Sequence, residues 1–220
     1  ILEVIMGTLD AKKMAGYCLV LGPIIALVAY FIQPGGVLGI GGTPDPTNSA
    51  EVMKVLVDNP ELGIITGLLV PLGLITLISG LMYFVQSMEG GNGHAMARTG
   101  MPFVFVAVTG WSIASGFGIG ISSGVGTSEA LAQAFFSINI PATALFGAGG
   151  ILIALAASTR EELNSTLSLI AAVAATVVFV TAFIIPFAPD QANTINIATG
   201  LCFIIYTIWS IIIGRGMIRG

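Results

Sequence analysis

Leu167-Ser168-Leu169-Ile170-Ala171-Ala172-Val173-Ala174-Ala175 decides the fold. The stretch is apolar all round a helix and lacks the alternation of a barrel strand, so it reads as part of a membrane-spanning helix. Hydrocarbon supplies no hydrogen bonds, and a helix satisfies its own backbone. Working outward, the 7 basic and 11 acidic residues of the 220-residue chain cluster, leaving charge-free windows at 14–44, 62–88, 99–128, 130–159, 163–189 and 191–214. Each window can hold a span, since roughly 20 apolar residues cross a hydrocarbon core. Apolar runs within them predict spans near 14–32, 62–86, 101–123, 130–158, 167–187 and 195–214. The expected fold is therefore an all-α polytopic bundle of six transmembrane helices forming a single membrane domain over 1–220.

Composition agrees. Hydrophobic side chains make up 55% of the chain, charged ones 8%, and mean hydropathy is +1.00, too apolar for a soluble globular protein. A net charge of −4 argues against a nucleic-acid partner, and two cysteines argue against a disulfide-stapled secreted domain.

An even number of spans puts both ends of the chain on one side. Lys12, Lys13, Arg98, Arg160, Arg215 and Arg219 fall on that side and only Lys54 on the other, so both termini are expected in the cytoplasm of a cell membrane. Tyr17, Tyr83 and Trp209 are placed near the inner boundary and Tyr30 near the outer one, as interfacial aromatics. Residues 1–13 are too short and charged to span, and Ile1 is not an initiator, so a start at Met6 or upstream is expected. The run after Lys12-Lys13 exceeds a signal-peptide core and is read as a retained anchor. Asn164-Ser165-Thr166 is a glycosylation sequon, but on the cytoplasmic side it should stay unmodified.

One connection is long. Residues 33–60 begin Gln33-Pro34-Gly35-Gly36 and continue through Pro44-Asp45-Pro46, a turn-forming composition. Asn48 and Glu51 then stand at capping-box spacing, and Glu51, Lys54 and Asp58 share one helical face while Val52, Val55 and Leu56 share another. This predicts a short amphipathic surface helix over 49–58, ended by Asn59-Pro60, that either covers the bundle, docks a partner or caps a path. Thr159-Arg160-Glu161-Glu162 has the same capping spacing and is read as the start of the fifth span. Residues 48–60 and 129–141 each place a short segment ending in Pro before a span, which is compatible with a duplication but too dissimilar to establish one.

Ser112, Gly116, Gly120 and Gly124 recur every four residues, and such a small-residue stripe predicts a helix–helix interface with another span or another subunit. Gly63, Gly67 and the Gly147-Ala148-Gly149-Gly150 run are candidate partners. Trp111 lies at mid-depth and needs an acceptor for its indole N–H, with Thr109 or Ser112 in reach; it is core or pocket wall. Asn139, two residues before Pro141, is the most polar side chain inside a span and could mark a broken helix.

No Asp, Glu, Lys, Arg or His falls within a predicted span, which argues against proton pumps, ion-coupled carriers, voltage sensors and retinal proteins. His94 stands alone in the Glu89–His94 loop, Cys18 and Cys202 read as buried apolar residues, and no metal site, cofactor or catalytic residue is assigned. In outline the layout resembles prokaryotic six-span membrane proteins, which implies no activity. The leading expectation is a non-catalytic accessory or structural subunit of a membrane complex, whose partners are the lipid bilayer and other membrane subunits or further copies of itself. The alternative is a channel or facilitator for a small neutral solute, its path lined by Ser112, Ser115, Asn139, Thr143 and Thr176.

Overall fold

The structure, a computed structural model, describes residues 10–45, 48–126 and 128–219. It is helical, with no strand among those residues: α1 (Ala11–Ile32), α2 (Ser49–Asp58), α3 (Pro60–Ser87), α4 (His94–Ser122), α5 (Glu129–Ser158), α6 (Ser165–Ile184) and α7 (Ala192–Arg219). Two 3₁₀ turns, Ile185–Phe187 and Pro189–Gln191, join α6 to α7. All but the ten-residue α2 are long and apolar enough to cross a membrane. The expectation of a start near Met6 and part of the Pro44–Pro46 turn fall outside the described residues.

Each long helix packs on the next along the chain, and α7 closes on α1, so the six form a ring. The first and last helices meet at one end: Gly16 of α1 faces the Gly214 carbonyl and Ile218 of α7. The α3–α4 turn lies at the same end, where Gly91 meets Arg160 and Gly93 meets Ala156 and Thr159. This terminal end thus carries every described basic residue except Lys54, while the opposite, loop end carries residues 33–45 and α2. Large apolar side chains such as Leu68, Phe105, Val173 and Leu201 are more than half exposed on the outside of the ring. Water would penalise that surface, whereas lipid chains do not.

The two ends differ in how they are filled. The main apolar core occupies the terminal half, where Leu19, Leu81, Val104, Ile153 and Trp209 are all but sealed from solvent. Toward the loop end the inward positions of α3 and α4 are small, among them Thr66, Ala114, Ser115 and Gly118, so side chains do not reach the axis and a hollow remains. Helix α2 lies over the loop end, where Leu56 packs with Ile121 and Ala132, and Ser49 donates to Glu129 at 2.9 Å. Asn48 caps α2 by accepting from the amides of Ala50 and Glu51, and its amide donates to the Glu51 carboxylate at 3.0 Å.

Several expectations change. Thr159 does not begin α6; it closes α5 through the Ala156 carbonyl, and Asn164 caps α6 by accepting from the Leu167 amide at 2.9 Å. Asn164 serves better because its carbonyl reaches a free first-turn N–H once residues 160–163 have formed a turn. Trp209 does not face outward as an interfacial aromatic would: it is buried, its indole donates to Ser168 at 3.1 Å, and its ring stands edge-on to Phe84. Tyr30 turns inward against Phe203. Helix α5 runs unbroken through Pro141, whereas Pro60 separates α2 from α3, so the two suggested repeats differ in structure.

Candidate functional site

The hollow is a cavity of about 470 Å³, within the range of small-molecule sites. Helices α1, α3, α4, α5 and α7 line it, with residues 33–37, Thr43, Pro44 and α2 at the loop end, and α6 contributes no side chain. Among the described residues none that lines it is charged.

Its floor is aromatic. Trp111 lies 5.1 Å from Phe146 and 6.0 Å from Phe203 between ring centroids, and Tyr206 lies 5.4 Å from Phe146. Edge-on and tilted pairings of this kind bring the positive edge of one ring to the negative face of another. Below the floor, Trp209 and Phe84 continue the stack into the solid core. The cavity therefore ends near mid-depth and is not a continuous pore. Toward the loop end the lining becomes polar, with Asn139, Asn193, Asn196 and Gln33. Asn139 precedes Phe146 by seven residues on α5, which places this amide belt about 10 Å above the floor.

Hydroxyls on the spans mostly turn back to their own helix: Thr66, Thr76, Ser79, Thr109, Ser112, Thr143 and Thr176 each donate to a carbonyl four residues earlier. Ser115 and Thr207 line the cavity and have no such bond among the described residues. The Trp111 indole N–H likewise has no hydrogen-bond partner among the described residues; Thr109 and Ser112 donate to their own helix and do not accept from it. Asn139 donates to the Phe135 carbonyl at 2.7 Å, leaving its side-chain oxygen unused. Unmatched polar groups thus gather where a bound molecule or water could meet them. The Tyr206 hydroxyl is different: it is fully buried without a partner.

Of the expected path residues, Ser115, Asn139 and Thr143 line the cavity and Ser112 and Thr176 do not. The small-residue stripe is not a close contact within this chain. Among the described residues, no atom from outside the local helix backbone lies within 4 Å of where a Cβ would stand on Gly116 or Gly124, and Gly120 meets only Leu131 at 3.8 Å. Close approaches lie elsewhere. Gly22 and Gly73 face each other's backbone across α1 and α3, Gly100 and Gly149 do so across α4 and α5, and Gly147 meets the Phe179 backbone of α6. Spacing of four identifies a stripe but not the direction in which it points. Sequence reasoning also missed Tyr30, Asn193, Asn196, Phe203 and Tyr206. The last four fall at helical spacing along α7, so an aromatic and amide stripe was the available signal.

Among the described residues no cluster of His, Cys, Asp and Glu could hold a metal ion, and Cys18 and Cys202 are free thiols. The chain matches no known protein family, no curated protein and no solved structure.

Proposed function

We propose that this chain is a non-catalytic, multi-pass protein of the cell membrane that receives a small neutral solute from the loop side and facilitates its passage. One observation carries the reading: an uncharged cavity runs from the 33–45 connection to an aromatic floor at mid-depth, with a packed core beneath it. Passage then requires the floor to open, as in a carrier that exposes one site alternately to either side. The gathering of six of the seven basic residues at the terminal end supports a cytoplasmic placement of both termini. Helix α2 would act as the amphipathic cover of the site, with Lys54 and Asp58 paired on its exposed face.

The test is solute counterflow in proteoliposomes of the purified chain, with a panel of small amides, alcohols and polyols. Saturable exchange that Asn139→Leu abolishes is the expected result, and no saturable exchange for any member would sink the proposal.

A second reading, a subunit of a larger membrane assembly, is favoured by Gly116, which lies exposed on α4 beside Ile113 and, among the described residues, meets nothing from another helix. Lipid or another protein can cover that face. Gentle detergent extraction should then yield reproducible companion chains and a mass well above 22.6 kDa, whereas a clean monomer would count against it.

A further inference from the structure

From the pairing of an aromatic floor with an unused indole donor and an amide belt above, we infer that the cavity takes a neutral, ring-bearing amphiphile with a carbonyl-type acceptor. This rests on the cavity being a ligand site, as proposed above, and adds the chemical class of its occupant. The ring would rest on Trp111, Phe146 and Phe203, which expose apolar surface that water covers poorly. Its acceptor would meet the Trp111 N–H, which can only donate. Its polar end would face Asn139 and Asn196, whose amides both donate and accept.

Water alone would satisfy the polar groups but not the rings, and a hydrocarbon alone would satisfy the rings but leave buried amides unmatched. An amphiphile satisfies both. Charge is disfavoured because no lining residue could pair with it and desolvation would go uncompensated. Anions meet a further obstacle at the loop end, where Glu51, Asp58, Glu61, Glu129 and Asp190 outnumber Lys54. That acidic rim and the aromatic floor make an organic cation the chief competitor, since a cation can rest on ring faces. The rings here pack edge-to-face on one another and do not form an open cage, and no carboxylate lines the cavity to neutralise such a guest.

The experiment uses the full chain in lipid nanodiscs with three probes of similar shape: 4-bromobenzamide, 4-bromobenzoate and (4-bromobenzyl)trimethylammonium. Equilibrium dialysis reads affinity, and bromine quenching of tryptophan fluorescence reads location, the chain having two tryptophans. The amide should bind saturably and at least roughly tenfold more tightly than either ion. Quenching should persist in Trp209→Phe and vanish in Trp111→Phe, whose affinity for the amide should fall about fivefold with the lost hydrogen bond. Val70→Trp, which fills the cavity from α3, should remove saturable binding. Equal or tighter binding of either ion, quenching that grows without saturation, or saturation that survives Val70→Trp would overturn the inference. Failure here is separable from failure of the transport proposal. Saturable amide binding without counterflow would sink transport and keep the ligand class, and counterflow of polyols without amide binding would do the reverse.

Discussion

Replacing Gly73 by alanine should loosen the α1–α3 crossing, and replacing Gly116 by alanine should not. A Cβ on Gly73 would lie 2.5 Å from the Ala26 amide nitrogen and 2.7 Å from the Gly22 carbonyl oxygen, both backbone atoms that cannot rotate away. Ordinary contact begins near 3.4 Å, so the helices must part by about 1 Å, enough to forfeit a quarter to a half of each dispersion well along the seam. At about 0.1–0.2 kcal/mol per atom pair over a few tens of pairs, the loss is about 1–3 kcal/mol, in line with overpacked cores. Alanine returns about 1 kcal/mol of helix propensity, leaving a net loss of up to about 2 kcal/mol. Gly116 has only that gain, with nothing within 4 Å to clash. Thermal unfolding in detergent micelles, followed by tryptophan fluorescence, should place Gly73→Ala below and Gly116→Ala at or above the unmodified protein. The reverse order would refute the packing argument and return the interface to the Ser112–Gly124 stripe.

Trp209→Phe and Ser168→Ala each remove one end of the buried α6–α7 hydrogen bond, and a double-mutant cycle should give a coupling of about 0.6–1.7 kcal/mol, as for polar pairs between membrane helices. Additive losses would show that the bond contributes nothing. Tyr206→Phe should leave the unfolding midpoint unchanged or raise it, because the hydroxyl it deletes is buried without a partner; a large loss would reveal a hydrogen bond to that oxygen. Asn164→Ala should lower stability by about 1 kcal/mol through loss of the α6 cap, with Thr159→Ala costing less. In the α5–α6 turn, the Glu162 backbone N–H and the Arg160 guanidinium hold the Glu162 carboxyl below its ordinary value of 4.5. Protection of that turn against hydrogen exchange should therefore be full above that pH and decline as pH falls through the lowered value, and Glu162→Gln should remove the dependence.

Architecture was legible because burial in lipid writes itself into composition. The apolar spans read within the charge-free windows place six long helices within about seven residues of their observed bounds, most widely off where α4 begins at His94 and α7 ends at Arg219. Those extensions carry Arg98, Arg215 and Arg219, which a hydropathy reading trims away although a helix continues past the apolar core. Asn48 with Glu51 was readable because a cap is a local interaction over three residues. The same spacing misled at Thr159, where the end of one helix competes with the start of the next.

The sequence by itself determined that the chain is helical, that six of its helices are membrane-length, and that no Asp, Glu, Lys, Arg or His interrupts their apolar runs. Only the tertiary structure decided which face of each helix looks inward, and with it the cavity, its aromatic floor and the glycines that bring backbones together. The reason is that lipid and protein interior are about equally apolar, so a span carries little periodic contrast to orient it. Trp111, Asn139, Asn196 and Phe203 come from three helices, and their meeting depends on rotations that only close packing of the whole ring selects.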